Sequence, residues 1–161
     1  MQLMVLTFVR TSELIGARWD EIDGGVWRIS PERMKMKTTH IVPLSRQAIM
    51  VIENVRQFSG DNPLLFPNER GGGRSMSNNT ITKALGAMGY AGRMTGHGFR
   101  GLASTILHEK GYNHEHIELQ LAHSPRDAVS AAYNYATYLE DRAKMMQEWA
   151  NYLENQGLSV E

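Results

Sequence analysis

Two rhythms of apolar and polar positions run along this chain. Residues 2–9 are almost entirely apolar, and Thr11-Ser12-Glu13 then reads as a helix N-terminus feeding Leu14-Ile15-Gly16-Ala17. Arg10 therefore falls at a junction between two buried helical pieces. Val26-Trp27-Arg28-Ile29 alternates with a period of two, and Ile41-Val42-Pro43-Leu44 is short, apolar and β-branched. These predict strands of a small sheet, with Lys35 to Thr39 near the connecting hairpin and Leu64-Leu65-Phe66-Pro67 as a third short strand.

Beyond the sheet the period becomes helical. Ser45 caps a predicted helix through about Phe58, with Ala48, Ile52 and Val55 on one face and Gly60 as its stop. Asp61-Asn62-Pro63 is turn chemistry, and residues 68–77, with Gly71-Gly72-Gly73, form the least ordered-looking stretch. A helix is expected from about Asn78 to Met88, then a loop from Gly89 to Gly98 that delivers His97. Phe99 to Glu109 reads as helical with Leu102, Ala103 and Ile106 inward, stopped by Gly111. Asn113 caps another helix reaching His123, where Ser124-Pro125 ends it and starts the next. Leu139, Ala143, Met146, Ala150 and Leu153 give the last helix its apolar stripe. No internal repeat or linker divides the chain.

Composition narrows the class. At 161 residues and 42% apolar the chain suits one domain with a real core. No run approaches the roughly 20 apolar residues of a membrane span. There are no cysteines, which removes disulfides, thiolate metal sites and cysteine nucleophiles and fits a reducing cytosol. Lys+Arg and Asp+Glu are both 17, where a DNA-binding domain more often carries a basic excess. The distribution is uneven, however. Acidic residues crowd the C-terminal third, while Arg28, Arg33, Lys35 and Lys37 face only Glu32 between residues 28 and 37.

Three patterns offer chemistry and fail. Arg70-Gly71-Gly72-Gly73-Arg74 lacks the Gly-Lys-Ser/Thr of a phosphate loop. His108-Glu109 begins a zincin-like string, but Tyr112 stands where the second histidine belongs. His114 and His116, one residue apart on a helix, point to different sides. No metal site is expected. What remains is Arg10 with Glu13, His97-Gly98-Phe99-Arg100, and His123 followed by Tyr133. Together they supply two guanidiniums, two imidazoles and a phenol, a set able to bind an anion and attack it.

Taken in chain order, these residues resemble the tyrosine recombinases of the phage and prophage integrase type. The resemblance rests on Arg10 with Glu13, Arg33-Met34-Lys35, His40-Ile41-Val42-Pro43-Leu44-Ser45, Gly96-His97-Gly98-Phe99-Arg100, Leu121-Ala122-His123 and Ala132-Tyr133-Asn134. Met145-Met146-Gln147 and Trp149-Ala150 extend it to nearly the whole chain. It implies a mainly α fold with a small antiparallel β-sheet (α+β), the C-terminal catalytic domain of such an enzyme. Residues 1–155 would be that single domain, without the arm-binding and core-binding domains that usually come first, and 156–161 a disordered tail.

The resemblance also implies roles. Tyr133 would attack the scissile phosphate, giving a 3′-phosphotyrosyl bond and a 5′-hydroxyl. Arg10 and Arg100 would grip the non-bridging oxygens, His97 and His123 would donate hydrogen bonds or move a proton, and Lys35 would protonate the leaving oxygen. Glu13 would orient Arg10, while Arg33, Lys37 and Arg74 would contact DNA. Lys37 rivals Lys35, and Tyr135 and Tyr138 rival Tyr133. The implied function is integration and excision of prophages or genomic islands in a bacterial cytoplasm, at the nucleoid, without a cofactor or metal. Its partners would be double-stranded attachment sites, other protomers in a tetramer on DNA, and accessory DNA-bending or excision factors, with no membrane. Two other readings compete: a non-catalytic DNA-binding or regulatory remnant of an integrase, and a histidine-metal hydrolase. The last helix could pack on its own domain or dock on a neighbouring protomer.

Overall fold

A computed structural model describes residues 1–35, 37–68, 73–123 and 138–160. Tyr133 and Tyr135, the Ser124-Pro125 boundary and most of the triple-glycine stretch lie outside these residues.

Helix α1 (Gln2–Thr7) is buried along Leu3, Met4, Leu6 and Thr7, and ends where Phe8 turns into the left-handed region at φ 40°. Two residues on, Arg10 takes an extended conformation and starts α2 (Thr11–Ile15). The junction expected at Arg10 is therefore real. A three-stranded antiparallel sheet follows, in the order β1 (Ile22–Asp23), β2 (Val26–Ile29), β3 (His40–Pro43). Its register sets Val26 against Pro43 and Ile29 against His40. The third strand is thus Ile22–Asp23, which pairs with Val26 and Trp27, and not Leu64 to Pro67. The latter stretch makes only single bridges, Leu64 to Arg18 and Pro67 to Ser75. Proline lacks the donor a ladder needs, and Pro63 and Pro67 bracket the stretch.

Helix α3 (Arg46–Ser59) begins as expected, with Ser45 Oγ accepting from the Ala48 amide, and stops at Gly60, φ 56°. After α4 (Asn79–Ala87), helix α5 (Gly96–Glu109) starts earlier than expected, with Thr95 Oγ1 accepting from Gly98 N–H. His97 therefore sits in the first turn of a helix, not in a loop before it. Leu102 faces outward at 43% exposure, while Ala103 and Leu107 are fully buried. Helix α6 (His114–Gln120), capped by Asn113, ends before His123.

The last helix, α7 (Leu139–Asn155), packs on its own chain. Trp149 is buried, meets Phe8 edge-on at 6.0 Å, and donates from Nε1 to the Val5 carbonyl. Met145, Met146 and Ala150 share its inner face, and Arg142 joins them in place of Ala143. Val160 is buried, Ser159 O accepts from Gln2, and Val160 O accepts from Asn54. Leu153 of α7 packs against both core clusters: Trp27, Ile29, Val42 and Leu6 on the sheet side, Phe8, Leu107, Ile117 and Trp149 on the helical side.

Candidate active site

Both arginines are aimed by backbone. Arg10 donates from Nη1 to Glu13 Oε1 at 2.7 Å and from Nη2 to the Ala122 carbonyl at 3.1 Å. Glu13 is 1% exposed, and its other oxygen accepts the Arg10 amide at 2.8 Å. One carboxylate thus caps α2 and pairs the guanidinium, as an acid in a first helical turn can do. Arg100 is buried; Nη1 donates to Phe8 O at 2.7 Å and Nη2 to Leu121 O at 2.5 Å. Burial first, then the neighbouring Arg10 charge, pulls its pKa down to about 10, which still leaves it protonated at neutral pH.

Phe8 and Ala122 hold left-handed backbone, at φ 40° and 49°. Such a conformation costs an L-residue about 1–2 kcal/mol. Their carbonyls are the ones that accept from Arg100 and Arg10. The strain falls where the chain bends to present acceptors to the two guanidiniums, as expected where surrounding structure fixes a functional geometry.

Arg10, Arg100 and His97 line one open cleft of about 340 Å³, together with Thr11, Ser12 and Asn78. His97 reaches it because Gly96 lets α5 approach closely: a Cβ there would stand 2.6 Å from Thr11 Oγ1 and 2.7 Å from Met4 Cε. The cleft also lies at the N-terminus of a 14-residue helix, whose amide end favours an anion. Three hydrogen-bond donors of positive or neutral charge thus converge on a volume that suits a phosphodiester.

His123 follows Ala122 and is exposed, with Nδ1 2.9 Å from Glu118 Oε2. That contact orients the ring and leaves Nε2 as its other polar atom. Lys35 is exposed on the connection between β2 and β3, and has no hydrogen bond among the described residues. Lys37 is likewise exposed, at φ 53°. Arg74 is also exposed.

Arg33 is not a surface cation. It lies 19% exposed, paired through Nη1 with both Glu21 oxygens, and Nη2 donates to the Glu13 carbonyl at 2.5 Å. Trp27 Nε1 donates to the same Glu21 at 3.0 Å. Arg33 therefore braces the turn that holds Glu13, and a DNA contact would have to break a half-buried ion pair. It passes close over Gly16, where a Cβ would meet Arg33 Nη2 at 2.9 Å.

Sequence reasoning missed Glu118, Thr11, Ser12 and Asn78 as neighbours of the site. Glu118 had a signal in its place one helical turn before His123; the other three are ordinary helix-start residues with none. His114 and His116 do point apart, His114 to His108 (Nδ1 to Nε2, 3.0 Å) and His116 to the Tyr138 ring. Among the described residues no three metal-ligating side chains gather.

A family model described as "Phage integrase family" matches residues 1–140. The chain is 46% identical over 172 aligned residues to the integrase of Enterobacteria phage P4, covering 96% of this chain and 39% of that protein. The chain belongs to the phage integrase family. It is 41% identical to the prophage integrase IntA of Escherichia coli K12, over 91% of this chain and 36% of the relative. In fold it is similar to the XerA recombinase crystal structure, with a TM-score of 0.64 at 17% identity, covering 98% of this chain and 57% of that one. The mainly helical domain with a small antiparallel sheet, inferred from the sequence, is the fold of this family member. The chain spans about two fifths of the length of these integrases.

Proposed function

We propose that this integrase-family chain carries out the strand-transfer chemistry of site-specific DNA recombination, by which prophages or genomic islands integrate and excise. The supporting observation is the convergence of Arg10, Arg100 and His97 on one cleft, with both guanidiniums held by backbone carbonyls. Planar guanidiniums fixed in this way match the non-bridging oxygens of a phosphodiester and stabilise the charge that develops on them.

In this reading Tyr133 Oη attacks phosphorus. The new P–O bond forms as the P–O5′ bond breaks, leaving a 3′-phosphotyrosyl link and a 5′-oxygen that takes a proton from Lys35. The phenolic proton leaves to an imidazole, His97 or His123, or to water. A phenol with a pKa of about 10 is a poor nucleophile at neutral pH until the site helps remove that proton. Attack by a 5′-hydroxyl on the phosphotyrosine then reverses the steps on a new strand. Because the link conserves the phosphoester, the exchange requires no nucleotide cofactor. Lys37 and Arg74 contact the duplex backbone, and further protomers and DNA-bending factors complete the assembly in the bacterial cytoplasm.

The test uses a pool of nicked duplexes with a randomised central region, in which the short cleaved strand diffuses away and traps the covalent state. Adducts that survive denaturation are expected with the native chain and with Tyr135→Phe, and none with Tyr133→Phe. DNA retained in a filter assay without any adduct would favour the non-catalytic remnant.

A further inference from the structure

We propose that Arg142 is a positioning residue for the nucleophile: by clamping the first turn of α7 to β3 and α6, it fixes the downstream anchor of the segment that carries Tyr133. The inference rests on the strand-transfer reading above and adds to it a residue outside the cleft.

A charge stands on the buried face of α7, among hydrophobic neighbours. Arg142 is fully buried on the inner face of α7, in the row with Met145, Met146 and Trp149. Burying a guanidinium costs several kcal/mol, and apolar side chains of similar size often replace buried ion groups without loss of stability. A buried arginine kept here therefore points to geometry more than to stability.

Its contacts say which geometry. Nη2 donates to the Ile41 carbonyl at 2.6 Å and to Gln120 Oε1 at 2.7 Å. Gln120, itself fully buried, donates from Nε2 to the Thr7 carbonyl at 3.3 Å. The next two residues, Leu121 and Ala122, supply the carbonyls that hold Arg100 and Arg10. Ile41 stands on β3, at the end of the connection that carries Lys35. One guanidinium thus ties α7 to the acceptor shelf of both site arginines, to the lysine strand and, through Gln120, to α1.

The imidazole of His40 completes this buried polar layer. It is 1% exposed and lies beside the Gln120 backbone, with the charges of Arg142, Arg100 and Arg10 acting on it.

A helix turns 100° and rises 1.5 Å for each residue. Sliding α7 by a single residue would swing Arg142 out of this layer, so the clamp selects one rotation and height for the helix. The Tyr133 segment joins α7 directly upstream, and a displacement of about 1 Å in an attacking atom can cost on the order of 100-fold in rate.

The experiment separates delivery of tyrosine from activation of the phosphate. On the nicked duplex pool, tyrosine-driven adduct formation is timed in the native background at saturating DNA. Cleavage by added hydrogen peroxide, which needs the activated phosphate but no tyrosine, is timed in the Tyr133→Phe background. Arg142→Met is expected to slow adduct formation about 100-fold and to change peroxide cleavage less than about threefold, because the Phe8, Leu121 and Ala122 carbonyls still hold Arg100 and Arg10 without it. Arg142→Lys, which keeps donors for Ile41 and Gln120, should recover part of the loss. Gln120→Met removes the same link from the other side and answers the question if Arg142→Met does not fold. Equal falls in both reactions, or a fall in neither, would overturn the positioning role. Adducts persisting in Tyr133→Phe alone would overturn the nucleophile assignment and this role together, and that single variant reveals it.

Discussion

At the scale of residues, the site is made by carbonyls as much as by side chains. Arg100 shows why substitution at such a place is severe. Its two terminal nitrogens span the Phe8 and Leu121 carbonyls, a reach that the point-like ammonium of lysine cannot copy. Arg100→Lys should lower the adduct rate by about 100-fold or more while leaving DNA binding within a few fold, read by adduct kinetics against anisotropy. His40 gives a second expectation. Burial, then Arg142, Arg100 and Arg10, lower its pKa to about 3, with only the Gln120 backbone acting the other way. An unfolded imidazole titrates near 6.5, so the unfolded chain binds the proton more readily. This stability is therefore present in full above about pH 6.5 and is lost as pH falls from there toward 3. By pH 5 the loss is about 2 kcal/mol. Thermal melts from pH 7.5 to 5 should fall more steeply in the native chain than in His40→Gln, and parallel slopes would reject the assignment.

At the scale of elements, Gly96 decides whether two helix starts can share a cleft. A methyl group there collides with Thr11 Oγ1 and Met4 Cε, so Gly96→Ala must push α5 away from α2 and carry His97 and Arg100 away from Arg10. A drop in adduct rate of about 10–100-fold, with a loss of melting temperature of a few degrees at most, is the expected result. Unchanged kinetics would show that the spacing is not critical. The same glycine explains what the sequence concealed. Gly96 and Gly98 read as loop, so the expected start of α5 falls too late. Ile22–Asp23 is too short to show any period, and Leu64 to Pro67 looked like a strand because apolar content is visible in sequence and partners are not. On α7 Met146 and Ala150 of the expected stripe are buried, but Ala143 faces out and Met145, Trp149 and Arg142 take the inner face; a charge such as Arg142 is read as surface until a structure shows which acceptors surround it. Arg33 failed for the same reason, its partner Glu21 being 12 residues away across a turn. The strongest readings, Arg10 at a helix junction, Ser45 and Gly60 around α3, and β2 against β3, all depended on local chemistry.

At the scale of the whole molecule, the proposed function asks a chain of balanced charge to hold a polyanion, with Lys35, Lys37 and Arg74 among its exposed cations. The chain spans 36–39% of the two integrases compared above, and DNA affinity in such a unit comes mainly from phosphate contacts. Binding by this chain alone should be weak and should fall linearly in log K against log salt, checked by anisotropy between 50 and 200 mM salt, as counterion release demands. Tight binding that ignores salt would mean that base contacts or apolar surface dominate. In the proposed function one tyrosine, Tyr133, becomes covalently joined to DNA. Proteolysis of a trapped adduct followed by mass spectrometry tests it most directly. A 3′-phosphonucleotide on the peptide containing Tyr133, localised to that residue by fragmentation, is the predicted result; the same mass on Tyr135 or Tyr138, or no nucleotide-bearing peptide from a trapped reaction, would contradict it.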